Sequence, residues 1–207
     1  MIDENTNINT VCLIQWFGPF SPDFDSDAKD KCRNWVKEEG EEKEFNFYLV
    51  CGKEYGKGKR KSKFYCGITR QRNIFMRFQD PSHPTNTLKV EELWVGRFSD
   101  EKLRKMSSNS KKSGTISKII EQVEWGLIYF FTKAYYSDFE IFNDKKTKNK
   151  PNQSVCIVNQ WYDINSRINK LNRRFKIQKW VPDVIMFDKD DCTEGLWKYS
   201  DRLKPLY

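Results

Sequence analysis

The chain has 207 residues, of which 38% are hydrophobic, 32% charged and 15% aromatic; this suits one compact domain with a real core and excludes a disordered chain. The formal charge of +8 is uneven, since residues 1–52 hold 11 acids and 5 bases while the remainder holds 32 bases against 18 acids. A basic field of that extent attracts polyanions, nucleic acid above all. The six cysteines form no C-x-x-C pair and stand apart from the single histidine, which excludes a zinc knuckle or a dithiol redox motif and points to free thiols. "MIDENTNINT" is acidic and polar, unlike a signal peptide, and no apolar run is long enough to cross a bilayer. A reducing, cytoplasmic setting without a membrane is the expectation.

Taken in chain order, "INTVCLIQWFGPF" is rich in branched and aromatic residues and ends at Gly-Pro, which predicts a strand. "SDAKDKCRNWVKEE" opens on a capping residue and predicts a helix stopping at Gly40. In "EFNFYLVCG", Phe45, Phe47 and Leu49 alternate with Asn46, Tyr48 and Val50, the period of a strand. "KEYGKGKRKSK" reads as a hairpin tip whose charges lie in water, and "FYCGIT" as the returning strand. Asn73 is placed to cap a short helix, "IFMRFQD", that ends before Pro81, and "ELWVGRFS" predicts the next strand. A polar, basic connection, "DEKLRKMSSNSKKSGT", leads to the strongest helix, "ISKIIEQVEWGLIYFFTKAYY". Beyond it, "NDKKTKNKPNQ" reads as a basic loop, "SVCIVNQW" as a strand, "DINSRINKLNRRFK" as a basic helical stretch and "VPDVIMFD" as a late strand. The fold class expected is α+β, with a small antiparallel sheet flanked by helices.

Two residues break the patterning. At about 100° per residue, the long helix puts Ile116, Ile120, Val123, Leu127, Ile128 and Phe131 in one apolar sector, and Glu124 falls inside it. A carboxylate in a core position needs a cation, a metal ion or strong donors, and a structural salt bridge is one way to supply them. Arg77 likewise shares a helical face with Ile74 and Phe78. A guanidinium that grips a phosphate and a carboxylate that holds a divalent ion are the parts of a phosphodiester hydrolase.

In this order the pieces resemble the GIY-YIG nuclease superfamily. "NFY", Asn46 to Tyr48, stands at the first tripeptide, and "YCG", Tyr65 to Gly67, at the second. "N-I-F-M-R-F" puts Arg77 at the family arginine, and "E-W-G-L-I" puts Glu124 at the family glutamate. The likeness covers about residues 44–145 of a single domain, with an N-terminal strand-helix extension (1–43) and a basic C-terminal extension (146–207) packed on that core. Asn46 in place of the first glycine and the long basic hairpin are departures from the pattern. The family asparagine beyond the glutamate could be Asn143 or Asn152.

The resemblance implies a metal-dependent DNA endonuclease, of the restriction or mobile-element kind. Glu124 would ligate Mg2+ or Mn2+, and Arg77 would clamp a non-bridging oxygen. Tyr48 would act as general base or hold the attacking water, with Tyr65 on the phosphate. A phenol acting as base at neutral pH needs cations that favour the phenolate. His83, in "DPSHP", reads either as a phosphate contact, as in some relatives, or as a surface turn histidine. Lys57, Lys59, Arg60, Lys61, Lys63, Arg70, Arg72, Lys111 and Lys112 are the expected backbone contacts. The partners expected are double-stranded DNA and a second copy of the chain in a homodimer. A non-catalytic nucleic-acid-binding protein that retains the fold, or a ribonuclease, is the alternative. Lysine-to-alanine changes across residues 57–63 are expected to weaken binding of a labelled duplex at low salt and to flatten its salt dependence; an unchanged slope would assign the hairpin to solubility alone.

Overall fold

The computed structural model describes residues 10–39, 42–56, 61–69, 73–109, 114–133, 139–143, 153–164, 177 and 180–189, together with the backbone of 196–199. Its frame is one eight-stranded mixed sheet in the order β5-β3-β2-β4-β1-β6-β7-β8. The strands are β1 (Thr10–Phe20), β2 (Phe47–Glu54), β3 (Ser62–Ile68), β4 (Leu88–Phe98), β5 (Phe139–Ile141), β6 (Val155–Asp163), β7 (Val184–Phe187) and β8 (Leu196–Tyr199). The helices are α1 (Ala28–Glu39), α2 (Ile74–Phe78), α3 (Glu101–Ser108) and α4 (Gly114–Lys133). The class is α+β.

The strands β2, β3 and β4 form the antiparallel centre, with Tyr48 opposite Gly67 on one side and Val95 on the other. The N-terminal extension packs on this centre through α1, and the strands of both extensions also lengthen the sheet. β1 pairs antiparallel with β4, and β6 runs parallel to β1 over Thr10–Gly18. Backbone donors and acceptors along the free side of β4 must be paired, and a strand from the N-terminal segment supplies partners that loops could not. The parallel β1–β6 and β3–β5 pairs make the sheet mixed, where an antiparallel one was expected.

Alternation along the strands divides the core into two layers. Phe47, Leu49 and Cys51 of β2 join Phe64 and Cys66 of β3 under α4, whose Ile116, Ile120, Val123 and Leu127 are fully buried. Tyr48 and Val50 point the other way, with Tyr65, against Ala28, Cys32 and Val36 of α1 and Ile74, Phe75 and Phe78 of α2. The polar stretch after β4 contains a helix that sequence reasoning left as a connection. Asp100 caps α3 by accepting from Leu103 N at 2.7 Å, and Leu103 and Met106 rest on the α4 layer. Of the loop read at 143–153, residues 144–152 lie outside the described residues, as do 165–176 of the helical stretch read at 163–176, whose first residue, Asp163, instead ends β6.

A buried carboxylate ties the C-terminal segment to the sheet. Glu92 of β4 is 5% exposed and accepts from Trp94 Nε1 at 2.7 Å and from Ile177 N at 3.1 Å. Glu92→Ala strips both donors of this acceptor, and chemical denaturation should show a loss of about 2–4 kcal/mol; a loss within experimental error would mean the carboxylate contributes nothing to the docking of Ile177.

Candidate active site

The two tyrosines stand side by side on neighbouring strands. Tyr48 on β2 and Tyr65 on β3 face the α1/α2 layer with ring centroids 6.0 Å apart and planes inclined by 27°. The glycine of "YCG" is what admits the first ring: a Cβ on Gly67 would sit 2.2 Å from Tyr48 Cζ and Oη. With no side chain there, Tyr48 lies across β3, and Phe78 of α2 meets it edge-on at 5.1 Å.

Local sequence brings α2 and the turn after it to this ring. Asn73 Oδ1 accepts from Met76 N at 2.8 Å and its amide donates to Glu42 Oε2 at 2.6 Å, so the start of α2 is capped and anchored at once. Pro81 follows the end of α2, and Asp80 folds the next turn by accepting from Ser82 N at 3.0 Å and Ser82 Oγ at 2.7 Å. Asn86 closes the turn by donating to Asp80 O at 2.7 Å. His83 therefore points inward, only 3% exposed, with Nε2 2.8 Å from the Tyr48 hydroxyl and Nδ1 2.7 Å from Thr85 Oγ1. It is not a surface turn histidine.

Arg77 is the exposed member of this group and makes no ion pair among the described residues. Its charge bears on Tyr48, Tyr65 and His83 alike, so the guanidinium lies close to all three. Glu124 is half-buried on α4, which packs on the opposite face of the sheet from Tyr48. The fully enclosed core position read from the sequence is not what it occupies. It sits on the shoulder of the helix in a row with Ser117 and Glu121, also half-buried, whereas Val123 and Leu127 take the centre of the buried arc. Its negative charge nevertheless reaches Tyr65. Asn143 answers a structural need, bonding both backbone groups of Cys66 (Cys66 N to Oδ1 at 3.0 Å, Nδ2 to Cys66 O at 2.7 Å) on the edge of β3 that β5 leaves uncovered. Asn152 lies outside the described residues.

Burial dominates the electrostatics. It pushes the Tyr48 phenol well above its ordinary value, reinforced by Tyr65, and the opposing pull of Arg77 does not overcome it. Tyr65 is raised as well, first by burial and then by the charge of Glu124. The cationic surroundings expected to favour a phenolate are therefore outweighed, and both tyrosines rest as phenols. His83 is driven down to about 4, by burial first and then by Arg77 and Lys29, with Asp80 acting against them. A neutral imidazole consequently faces a neutral phenol. Thr85 N–H donates to Nδ1 at 3.4 Å, which suits a proton on Nε2, whereas the tautomer whose Nδ1–H donates to Thr85 Oγ1 leaves Nε2 free to accept from the Tyr48 hydroxyl.

Of the expected backbone contacts, Lys61 is exposed at the start of the returning strand, whereas Lys63 is half-buried, paired with Glu140 of β5 and 5.8 Å from the centroid of Phe142. Lys57, Lys59, Arg60, Arg70, Arg72, Lys111 and Lys112 lie outside the described residues. One cation beside the site carried no sequence signal. Lys29 of α1 donates to Asn86 Oδ1 at 2.7 Å and sits 5.4 Å from the Phe78 ring centroid, 57 residues away in sequence from its amide partner. Its position depends on the packing of the N-terminal helix against α2 and β4, which no local pattern encodes. The five described cysteines are buried free thiols, and burial raises Cys12 to about 12 and lifts Cys32 and Cys156 above their ordinary value.

Among the described residues no three His, Cys, Asp or Glu side chains gather as a closed metal cage. Magnesium keeps most of its waters and takes few protein oxygens beside those of a phosphate, so half-buried Glu124 is the residue that would hold it. No helix among the described residues is long and apolar enough to cross a membrane. Comparison with models of protein families, with characterised proteins and with solved structures returned no match.

The histidine gives the site a measurable signature. Above about pH 6.5 His83 is neutral in folded and unfolded chains alike; below it the unfolded chain takes up a proton that the folded chain refuses until about pH 4, so stability is lost as pH falls through that window. Denaturant unfolding between pH 6.5 and 5, above most carboxylate titrations, is expected to lose up to about 2 kcal/mol from this source, and His83→Gln should flatten that part of the curve. An identical slope in the variant would show that the imidazole is not held neutral.

Proposed function

We propose that the chain is a metal-dependent DNA endonuclease that hydrolyses phosphodiester bonds with Tyr48, Tyr65, Arg77, His83 and Glu124. The observation that carries this reading is the contact of the Tyr48 hydroxyl with His83 Nε2 at 2.8 Å, beside a second phenol and within the field of exposed Arg77, which makes no ion pair among the described residues. A structural aromatic pair requires neither the histidine nor the arginine, and together the four provide a proton path and an anion clamp.

The chemistry follows from the resting charges. Neither tyrosine begins as a base, so the water proton moves in a relay: the Tyr48 oxygen takes a proton from the attacking water as Tyr48 gives its own to His83 Nε2. Thr85 Oγ1, 2.7 Å from Nδ1, accepts from the other ring nitrogen and orients the imidazolium that results. Arg77 holds a non-bridging oxygen and takes up charge as the phosphorus gains its fifth ligand. Tyr65, the more exposed phenol at 9%, donates to a second phosphate oxygen. Glu124 would hold the magnesium or manganese ion, which when bound supplies charge stabilisation at the leaving oxygen. Double-stranded DNA is the substrate proposed, in keeping with the basic remainder of the chain.

One observation favours a second reading, a nucleic-acid-binding protein that keeps the fold without catalysis: Tyr48 has 0% exposure, so water does not touch its hydroxyl in this conformation. Plasmid nicking decides between the two. The parent should nick in magnesium and not in chelator, and Glu124→Ala and Arg77→Ala should each lower the rate by at least about 100-fold. Duplex binding without nicking in either magnesium or manganese would establish the second reading, and variants as fast as the parent would refute this site.

A further inference from the structure

The N-terminal helix carries a cation to the edge of the tyrosine site, and the reaction just described does not use it. Lys29 is the second residue of α1, in the strand-helix extension that precedes the nuclease-like centre. The residue is half-buried, and an exposed hydrogen bond fixes its ammonium. It donates to Asn86 Oδ1 at 2.7 Å, and Asn86 is itself held by its amide donating to Asp80 O at 2.7 Å and by its N–H donating to His83 O at 2.9 Å. Its Nζ also lies 5.4 Å from the centroid of Phe78, the ring packed edge-on against Tyr48. Among the described residues Lys29 makes no ion pair with a carboxylate, whereas Lys31, two residues on, is paired with Asp23.

A lysine kept at the surface for solubility would extend into water, and one kept for stability would pair with an acid. Lys29 does neither. A neutral amide holds it, which fixes direction without cancelling charge, and two of the ammonium's three hydrogens remain for another acceptor. The cost of this placement is visible in its lowered proton affinity, caused first by burial and only partly offset by Asp27. Its field and that of Arg77 converge on His83. Two cations whose fields meet at one neutral site can each take a phosphate of the same strand.

Building on the nuclease reading, we propose that Lys29 and Asn86 form a second phosphate subsite, which grips the backbone phosphate of DNA adjacent to the one held by Arg77. Ammonium and amide both donate to its oxygens, since the Asn86 side chain can exchange its contact with Asp80 O for one with the strand. The subsite sets the path of the strand, which runs from Tyr65 over Tyr48 and Arg77 toward the N-terminus of α1.

The test is equilibrium binding of a fluorescein-labelled DNA duplex to the full chain in chelator, followed by anisotropy across a salt series. Lys29→Gln should weaken binding roughly tenfold at low salt and reduce the slope of log affinity against log salt by about 1, while Lys29→Arg should keep the parental slope. Lys31→Gln, which removes an ammonium already paired with Asp23, should leave the slope unchanged. Unfolding temperatures taken in parallel separate the alternatives. A lower melting temperature for Lys29→Gln with a parental salt slope would make Lys29 a structural tether of the Asn86 turn and overturn the subsite, as would equal slopes with no change in stability. The nicking assay keeps the two readings apart: a parent that nicks while Lys29→Gln keeps its slope retains the nuclease and loses the subsite. A parent that never nicks while the slope still drops retains the phosphate subsite and loses the nuclease.

Discussion

The site rests on a missing side chain. Because Tyr48 and Gly67 are directly opposed across β2 and β3, the ring can lie over the neighbouring strand only if nothing projects from residue 67, and a single methyl group would overlap it at 2.2 Å. That one vacancy directs the hydroxyl to His83, lets Tyr65 stack alongside at 6.0 Å, and gives Phe78 an edge to meet. The capped start of α2 and the Asp80 turn then have a fixed target, and the arginine between Met76 and Phe78 comes to stand near both phenols. A strand motif and a helix motif are in this way two halves of one packing problem.

Enclosure keeps the groups of the site neutral. The same dry surroundings that raise both phenols lower the imidazole, so each group keeps its neutral form and no ion is stranded in the core. In the proposed reaction the arriving phosphodiester reverses this balance. Its negative charge offsets Arg77 and Lys29, the two cations that discourage protonation of His83, and the imidazole becomes a better acceptor at the moment the proton must move. The substrate itself thereby switches on the base.

Much of the centre could be read from sequence because its signals are local. Asn73 with Pro81 brackets α2, the alternation from Phe45 to Val50 marks β2, and helical periodicity singles out Glu124. The same periodicity placed Glu124 too deep, since a count of apolar neighbours along one helix does not reveal where the sheet beneath it ends. α3 is hidden because Leu103 and Met106 are its only apolar residues and its one fully buried residue, Ser107, is polar, which leaves too few positions to set a period. Three features rest on contacts between distant residues and left no local trace: the pairing of Tyr48 with His83, 35 positions on; the reach of Lys29 to Asn86; and the parallel run of β1 beside β6. β5 pairs over only three residues, shorter than any pattern the eye can pick out.

The location of β1 between β4 and β6 has an architectural consequence. Trp16, fully buried, stacks on Trp161 at 5.8 Å and donates to Asn159 Oδ1 at 2.8 Å, so the two ends of the chain are riveted to each other through the middle of the sheet. Excision of residues 44–145 as a portable cassette would bare one whole flank of β4, a raw hydrogen-bonding margin that invites intermolecular stacking. The antiparallel centre is no detachable module: grafting it onto another scaffold would require carrying β1 and β6 along.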